Sequence, residues 1–444
     1  MSKETSGNSS LKSLEKDCKS ITLDDRTHTL IVTSPYPAAT LATAILSRAL
    51  MRSNGRFQIT FGQPVMSIDT LNELRTKYET SAVFMIGIDT FGLKRVKKGR
   101  SYPILIGGTS ESEQLASFTL GTDSTMASAA YVLAKSHMEL DSYDLQLAAA
   151  GTLVQDGMNG SKKGANMDVI KLAEKEGLIE ERKGFRLFGI GMLPLDEALL
   201  YSTHPYLHTL SGNQKACDEL LNKSEIPVSK LRSPLSSLSS SEAQRLTSHL
   251  ITRLDPEVIP QLLGKDYIFS QERETSPLRY ASGIEITATT AWVRHELGAS
   301  MSVWLGDRGR ALRGLIDSHM SHHKDVISAI QRLDLGLVSE STPSATIVKI
   351  LGSKTEILPD VGRIALSNRF VGSDRPVVLD NEESYTIIWP SSTLSIKQVL
   401  HGLLRKGILP VATSPQSITI AGSSEMKETS LQMIRALTAA GGRT

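Results

Sequence analysis

Short β-branched apolar runs alternate with helical stretches from residue 28 to about residue 157, and few architectures accept that alternation. Residues 28–34, HTLIVTS, read as a strand and 41–52 as a helix. Residues 57–62, FQITFG, read as a strand, and 67–78, SIDTLNELRTKY, as a helix with Ser67 or Asp69 placed to cap it. SAVFMIGID (81–89) reads as a strand ending at Asp89, and YPILIGG (102–108) as one ending at Gly107-Gly108. STMASAAYVLAKSH (124–137) reads as a helix, and DLQLAAAGTLVQDG (144–157) as a helix or a buried strand. Strand–helix alternation of this length predicts a parallel sheet with helices on both faces.

The remainder divides less cleanly. Residues 163–215 are helical and loop-rich, and a Ser/Pro-rich stretch follows before a helix start at Ser239–Glu242. Residues 279–335 are mainly helical. From about 345 the texture turns β-rich, with ATIVKILG, IALSNRF, PVVLD and YTIIWP, then a helix (LSIKQVLHGLLRKG), the strand SITIAG and a last helix. The expected organisation is a disordered tail over 1–24 and a parallel-sheet domain over 25–215. A linker with connecting helices follows over 216–278, then a smaller α/β domain with a helical insertion over 279–444.

Composition excludes several classes. Hydrophobic residues at 40% and charged residues at 22% suit a globular core that needs no disulfide staple. Two cysteines, Cys18 and Cys217, argue against a disulfide framework or a zinc ribbon and suit a reducing, cytoplasmic setting. No apolar run approaches the roughly 20 residues of a membrane span, and the polar N-terminus lacks the apolar core of a signal peptide. A formal net charge of +2 predicts no global attraction to nucleic acid.

The first strand-to-helix turn is chemically silent. A turn at the carboxyl end of a strand is where α/β proteins place ligands. Here it reads Pro35-Tyr36-Pro37-Ala38-Ala39, without Asp, Glu, His or Gly.

The order of segments resembles the DHH phosphoesterase superfamily, in particular archaeal RecJ-like proteins. The resemblance spans roughly residues 25 to 430. It rests on VQDGMNG, EGLIEERKGFRLFGIGMLPLDEALLYSTHPYLHTLSGN, WLGDRGRAL and LPDVGRIALSNRF, which match connecting segments in order and spacing. Active members use aspartates and histidines to hold two divalent cations, usually manganese, which activate a water and clamp the scissile phosphate. The family's Asp-x-Asp-Gly turn falls on Tyr36, Pro37, Ala38 and Ala39. Its second acid falls near Gly87 or Asp89, its Asp-His-His signature on Gly107, Gly108 and Thr109, and its fourth acid on Leu153. The histidine of its C-terminal Gly-Gly-His segment falls on Leu409, and IIWPSS lacks the arginine of a phosphate-contacting strand. Only Asp89 survives, and one aspartate cannot hold two cations.

The resemblance therefore implies a chain with no catalysis, no bound metal and no cofactor. It implies a role like that of the non-catalytic cell-division-cycle subunit of the eukaryotic replicative helicase, which bridges the GINS complex and the MCM ring. The expected function is an archaeal replication subunit that binds GINS through its DHH-like domain and helps couple it to MCM, away from any membrane. Three alternatives stand beside it: a regulatory partner of an active RecJ-like nuclease, a single-strand DNA binder, and a residual exonuclease built on Asp89, Asp123, Asp156 and the histidines.

Individual features add little. FGLKRVKKGR (91–100) carries Lys94, Arg95, Lys97, Lys98 and Arg100, a candidate contact for phosphates or an acidic partner, though such runs are more often solvated loops. His319, His322 and His323 share a helix face by spacing and are expected on a solvated polar face rather than at a metal. Trp304 and Trp389 are expected in the core.

Overall fold

The computed structural model describes residues 11–19, 28–80, 82–92, 103–111, 117–118, 124–159, 164–334, 339–341, 345–350, 352–371, 375–390, 394–421 and 424–441. The elements run α1 (Leu11–Lys19), β1 (Thr29–Thr33), α2 (Pro37–Arg52), β2 (Phe57–Phe61), β3 (Val65–Ser67), α3 (Ile68–Lys77), β4 (Ala82–Ile86), β5 (Asp89–Phe91), β6 (Ile104–Ile106), β7 (Ser117–Phe118), α4 (Met126–His137), α5 (Ser142–Asp156), α6 (Gly164–Lys175) and β8 (Ile179–Phe185). They continue with α7 (Leu195–Leu200), α8 (Gln214–Lys223), α9 (Ser240–Arg253), α10 (Ile259–Leu262), β9 (Leu263–Phe269), α11 (Ala281–Val293), α12 (Leu297–Trp304), α13 (Arg310–Asp334), β10 (Ser339–Ser341), β11 (Thr346–Lys349), α14 (Leu358–Ser367), β12 (Val377–Asp380), β13 (Tyr385–Ile388), α15 (Ile396–Arg405), β14 (Val411–Ser414), β15 (Ser417–Ile420) and α16 (Ser424–Gly441). The chain forms two compact units. Unit one is Met1–Arg182 with Tyr267–Gln271 and Leu297–Leu312; unit two is Lys183–Asp266, Glu272–Glu296 and Arg313–Thr444.

Unit one is built on a parallel sheet in the order β2-β1-β4-β6-β7. Leu30, Val32, Val83, Met85 and Leu105 pack from it against Met66 and Leu71, so one face is closed by the β3–α3 segment. Ser67 caps α3, its hydroxyl accepting from the Thr70 amide. Helices α2, α4 and α5 pack on one another, and small residues let them approach. A β-carbon on Gly151 of α5 would lie 2.4 Å from the Ala127 Cβ of α4. The segment expected as a disordered tail carries α1. Its apolar residues recur at Leu11, Leu14 and Cys18, the spacing of one helix face, and Leu14 and Cys18 are buried where α1 meets α4 and α6.

Unit two contains a six-stranded mixed sheet, β10-β11-β12-β13-β15-β14, with β11 and β12 parallel and the other pairs antiparallel. The stretch IALSNRF, expected as β, lies largely in helix α14. Pro359 sits in its first turn, and buried Leu358, Val361, Ile364 and Ala365 recur at helical spacing. The apolar core joins Val326, Ile327 and Ile330 of α13 to α14, β11 and β12. Trp304 and Trp389 are buried, as is Trp292, whose indole donates to the Ala412 carbonyl at 3.0 Å. Among the described residues no helix is long and apolar enough to cross a membrane.

Candidate functional site

The carboxyl ends of β1, β4 and β6 meet in unit one, where an open parallel sheet places its ligands. The Ser34 amide donates to the Ile86 carbonyl at 2.9 Å, and the Gly87 amide to the Ile106 carbonyl at 2.8 Å. The turns that follow are Pro35-Tyr36, Gly87-Ile88-Asp89 and Gly107-Gly108-Thr109-Ser110. The resemblance places three of its metal-binding motifs on these turns.

Backbone and hydroxyl groups occupy this space. A β-carbon on Gly108 would stand 2.0 Å from the Ile88 carbonyl oxygen, and one on Gly87 would stand 2.3 Å from the Ser34 hydroxyl. Gly87 and Gly107 also hold positive φ, at 70° and 68°, where glycine is favoured. An imidazole at position 108 is incompatible with this backbone. Asp89 is buried and spends one carboxylate oxygen on the Thr109 amide at 2.8 Å, which pins the third turn to the second. The same pair of turns is closed by the Thr90 amide on the Thr109 carbonyl (2.9 Å) and the Thr90 hydroxyl on the Ser110 hydroxyl (2.7 Å). Tyr36 faces this carboxylate; burial first, and the Asp89 charge second, push its phenol above the usual range, so it stays protonated.

The amino end of α4 completes the floor, since Met126 reaches to within 3.1 Å of the Gly87 β-carbon position. Its first turn is held by uncharged donors and acceptors. Asn166 Oδ1 accepts from the Thr125 amide (2.8 Å) and the Ser128 hydroxyl (2.9 Å), Gln155 Oε1 accepts from the Met126 amide (3.0 Å), and Asn166 Nδ2 donates to Asp156 at 2.6 Å. Leu153, where the fourth acid maps, is buried in α5. This donor set does not fit two divalent cations. Hard cations need several convergent carboxylate oxygens, whereas Asp89 and Asp156 are each engaged by an amide nitrogen. Among the described residues no group of three or more His, Cys, Asp or Glu is arranged to hold a metal ion.

A second constellation lies in unit two. His319, His322 and His323 of α13, expected on a solvated face, are 2%, 0% and 2% exposed. The signal was available: the three histidines fall on the apolar stripe that joins Leu315 to Val326 and Ile330, a spacing that aims them at the core. His322 Nε2 lies 2.8 Å from Asp360 Oδ2, His204 Nε2 lies 3.3 Å from Asp360 Oδ1, and Arg363 donates to Asp360 Oδ1 at 2.9 Å. His323 Nδ1 meets the Thr203 hydroxyl and His319 Nδ1 the Thr290 hydroxyl, while the His319 and His323 rings lie tilted against each other with centroids 3.7 Å apart. Burial lowers the pKa of His204, His319 and His323, and at His204 the Arg363 charge adds to it. Burial alone would raise Asp360, but His204 and Arg363 hold it well below the usual carboxylate range. The arrangement is one buried carboxylate held by two imidazoles and a guanidinium, a fastening of α13 to α14.

Leu409, onto which the resemblance places a terminal histidine, is 79% exposed beside β14. Lys94, Arg95, Lys97, Lys98, Arg100 and Asp123 lie outside the described residues.

No protein-family model matches the chain. A search of curated proteins finds no relative. Among solved structures, the chain is similar to CDC45 from Entamoeba histolytica, with a TM-score of 0.63 at 12% identity, over 95% of this chain and 98% of that one. Exonuclease RecJ bound to manganese aligns with a TM-score of 0.48 at 12% identity, over 99% of this chain and 96% of that one. RecJ from Thermus thermophilus in complex with Mn2+ aligns at 0.48 and 13% identity, over 98% of this chain and 55% of that one. The chain has the mixed α/β fold of CDC45 along almost its entire length.

Proposed function

We propose that this chain, which shares the fold of CDC45, is a non-catalytic subunit of an archaeal DNA replication machinery, binding GINS and helping couple it to the MCM helicase. The observation that carries this reading is the strand-end region of unit one. The resemblance carries the metal ligands of a nuclease onto Tyr36, Ala38, Gly107, Gly108, Thr109 and Leu153, and Asp89, the acid it leaves, accepts the Thr109 amide. A fold that keeps its sheet and fills its reaction centre with backbone has been retained for what it touches. Co-elution tests this: the purified chain mixed with a purified GINS complex at micromolar concentrations runs as one species, and MCM joins it. Separate elution of the chain and GINS overturns the reading.

Direct contact with single-stranded DNA is a second reading, favoured by the five cations between Lys94 and Arg100, which follow β5 in the chain. Phosphate contacts of that kind lose affinity steeply as salt rises. Binding that is insensitive to replacing Lys94, Arg95, Lys97, Lys98 and Arg100 by glutamine removes this role from the stretch.

A further inference from the structure

Among the described residues, strand β2, Phe57–Phe61, is one edge of the unit-one sheet. It pairs with β1 in parallel, Thr29 opposite Phe57 and Thr33 opposite Phe61. The ladder begins with the Thr29 amide on the Arg56 carbonyl (2.9 Å) and ends with the Gly62 amide on the Thr33 carbonyl (2.9 Å). Parallel pairing uses alternate residues of a strand. Gln58 and Thr60 therefore turn their N–H and C=O groups toward β1, and Phe57, Ile59 and Phe61 turn theirs outward. Among the described residues nothing pairs with that outer edge.

Open edges are usually guarded by lysine, proline, inward charge or a bulge. FQITF has none of these. Gln58 is exposed and the other four residues are half-buried, so aromatic and β-branched surface lies beside the open backbone. The strand is also complementary to itself. An antiparallel copy centred on Ile59 sets Ile59 opposite Ile59, Phe57 opposite Phe61 and Gln58 opposite Thr60. In that register Phe57, Ile59 and Phe61 each exchange both backbone groups with the facing residue, the hydrogen-bonded pairing of an antiparallel ladder. Residues two apart share a face, so the two Phe-Ile-Phe faces become continuous. Arg56 stands opposite Gly62, and no like charges meet.

We infer that β2 is a self-association edge, on which a second copy of this chain adds antiparallel about a two-fold axis at Ile59, joining two unit-one sheets into one. The repeat of outward residues at 57, 59 and 61, symmetric about 59 in side chain and in backbone, favours a second copy over an unrelated strand. A contact of one short strand is small, so the dimer is expected to be weak, with a dissociation constant on the order of micromolar or above.

Cross-linking of the full chain reads the register directly, because Cys18 and Cys217 are buried and give little background. Facing residues of a hydrogen-bonded pair lie ~5.5 Å apart between Cα atoms, within disulfide reach. Ile59→Cys should form a disulfide dimer under mild oxidation. Gln58→Cys alone should not, while a mixture of Gln58→Cys and Thr60→Cys chains should. In sedimentation, the double variant Gln58→Lys/Thr60→Lys should be monomeric and Gln58→Lys/Thr60→Glu dimeric, with both melting alike. A monomer at every concentration, a cross-link pattern that does not follow this register, or the edge taken up only by a different protein's strand overturns the inference.

Discussion

Gly108 has no room for a β-carbon, and that single contact decides what the strand-end region can be. Gly108→Ala drives a methyl into the Ile88 carbonyl 2.0 Å away, and overpacking against backbone that cannot yield costs about 2–3 kcal/mol. Chemical denaturation of the purified variant checks this; an unchanged midpoint means the turn has room after all. Asp89 acts as a fastener. Its buried carboxylate accepts the Thr109 amide at 2.8 Å, and removing it in Asp89→Ala should cost about 1.5–3 kcal/mol, the worth of a hydrogen bond to a charged group. A residue that served only to hold metal would be replaced with little loss of stability, or a gain. At this scale the sequence was legible where identity speaks for itself. A turn without carboxylates at Tyr36–Ala39 is visible in the letters. That Gly108 lies on the Ile88 carbonyl, in the turn after β4, is not, because the contact exists only after β4 and β6 pair.

Helices carry the next level of stability. Arg48 and Arg52 of α2 reach Asp144, which is fully buried at the start of α5, and Asp141, which caps that helix. The Arg48 guanidinium also lies 4.6 Å over the Tyr143 ring. Asp144→Ala leaves two guanidinium groups facing a partly buried gap and should cost about 3–5 kcal/mol, measurable as a fall in melting temperature. The fastening of α13 to α14 makes a prediction about pH. His204, His319 and His323 have lowered pKa values in the folded chain, so the unfolded chain binds protons first as pH falls below about 6.5. Stability is full above that point and declines on acidification, by up to ~1.4 kcal/mol per pH unit for each histidine, until the folded pKa values are reached. Asp360, lowered in the folded state, withdraws its own contribution only at still lower pH. The groups facing this cluster are Asp360 and Arg363 of α14 and His322 of α13 itself. Urea melts between pH 7 and 5 should show the loss, and His323→Leu should flatten it. The elements themselves were largely legible from periodicity. The exceptions have physical causes. Helix α1 is short, and its burial depends on α4 and α6. Helix α14 contains β-branched residues whose strand propensity masks their helical spacing.

For the whole molecule, the regular alternation from β1 to α5 made the parallel sheet readable, since parallel strands demand crossover connections. The division into units was harder to see. Unit one takes back Tyr267–Gln271 and Leu297–Leu312 from far along the chain, and no local change in composition marks such a return. On the function proposed, a chain with the fold of CDC45 has given its reaction centre to backbone packing and serves the replication machinery as a bound subunit. The most direct test is an exonuclease assay of the full chain on single-stranded DNA with added manganese, beside the Asp89→Ala variant. The expected result is no nucleotide release from either protein above a protein-free control. Manganese-dependent release that disappears in Asp89→Ala would contradict it.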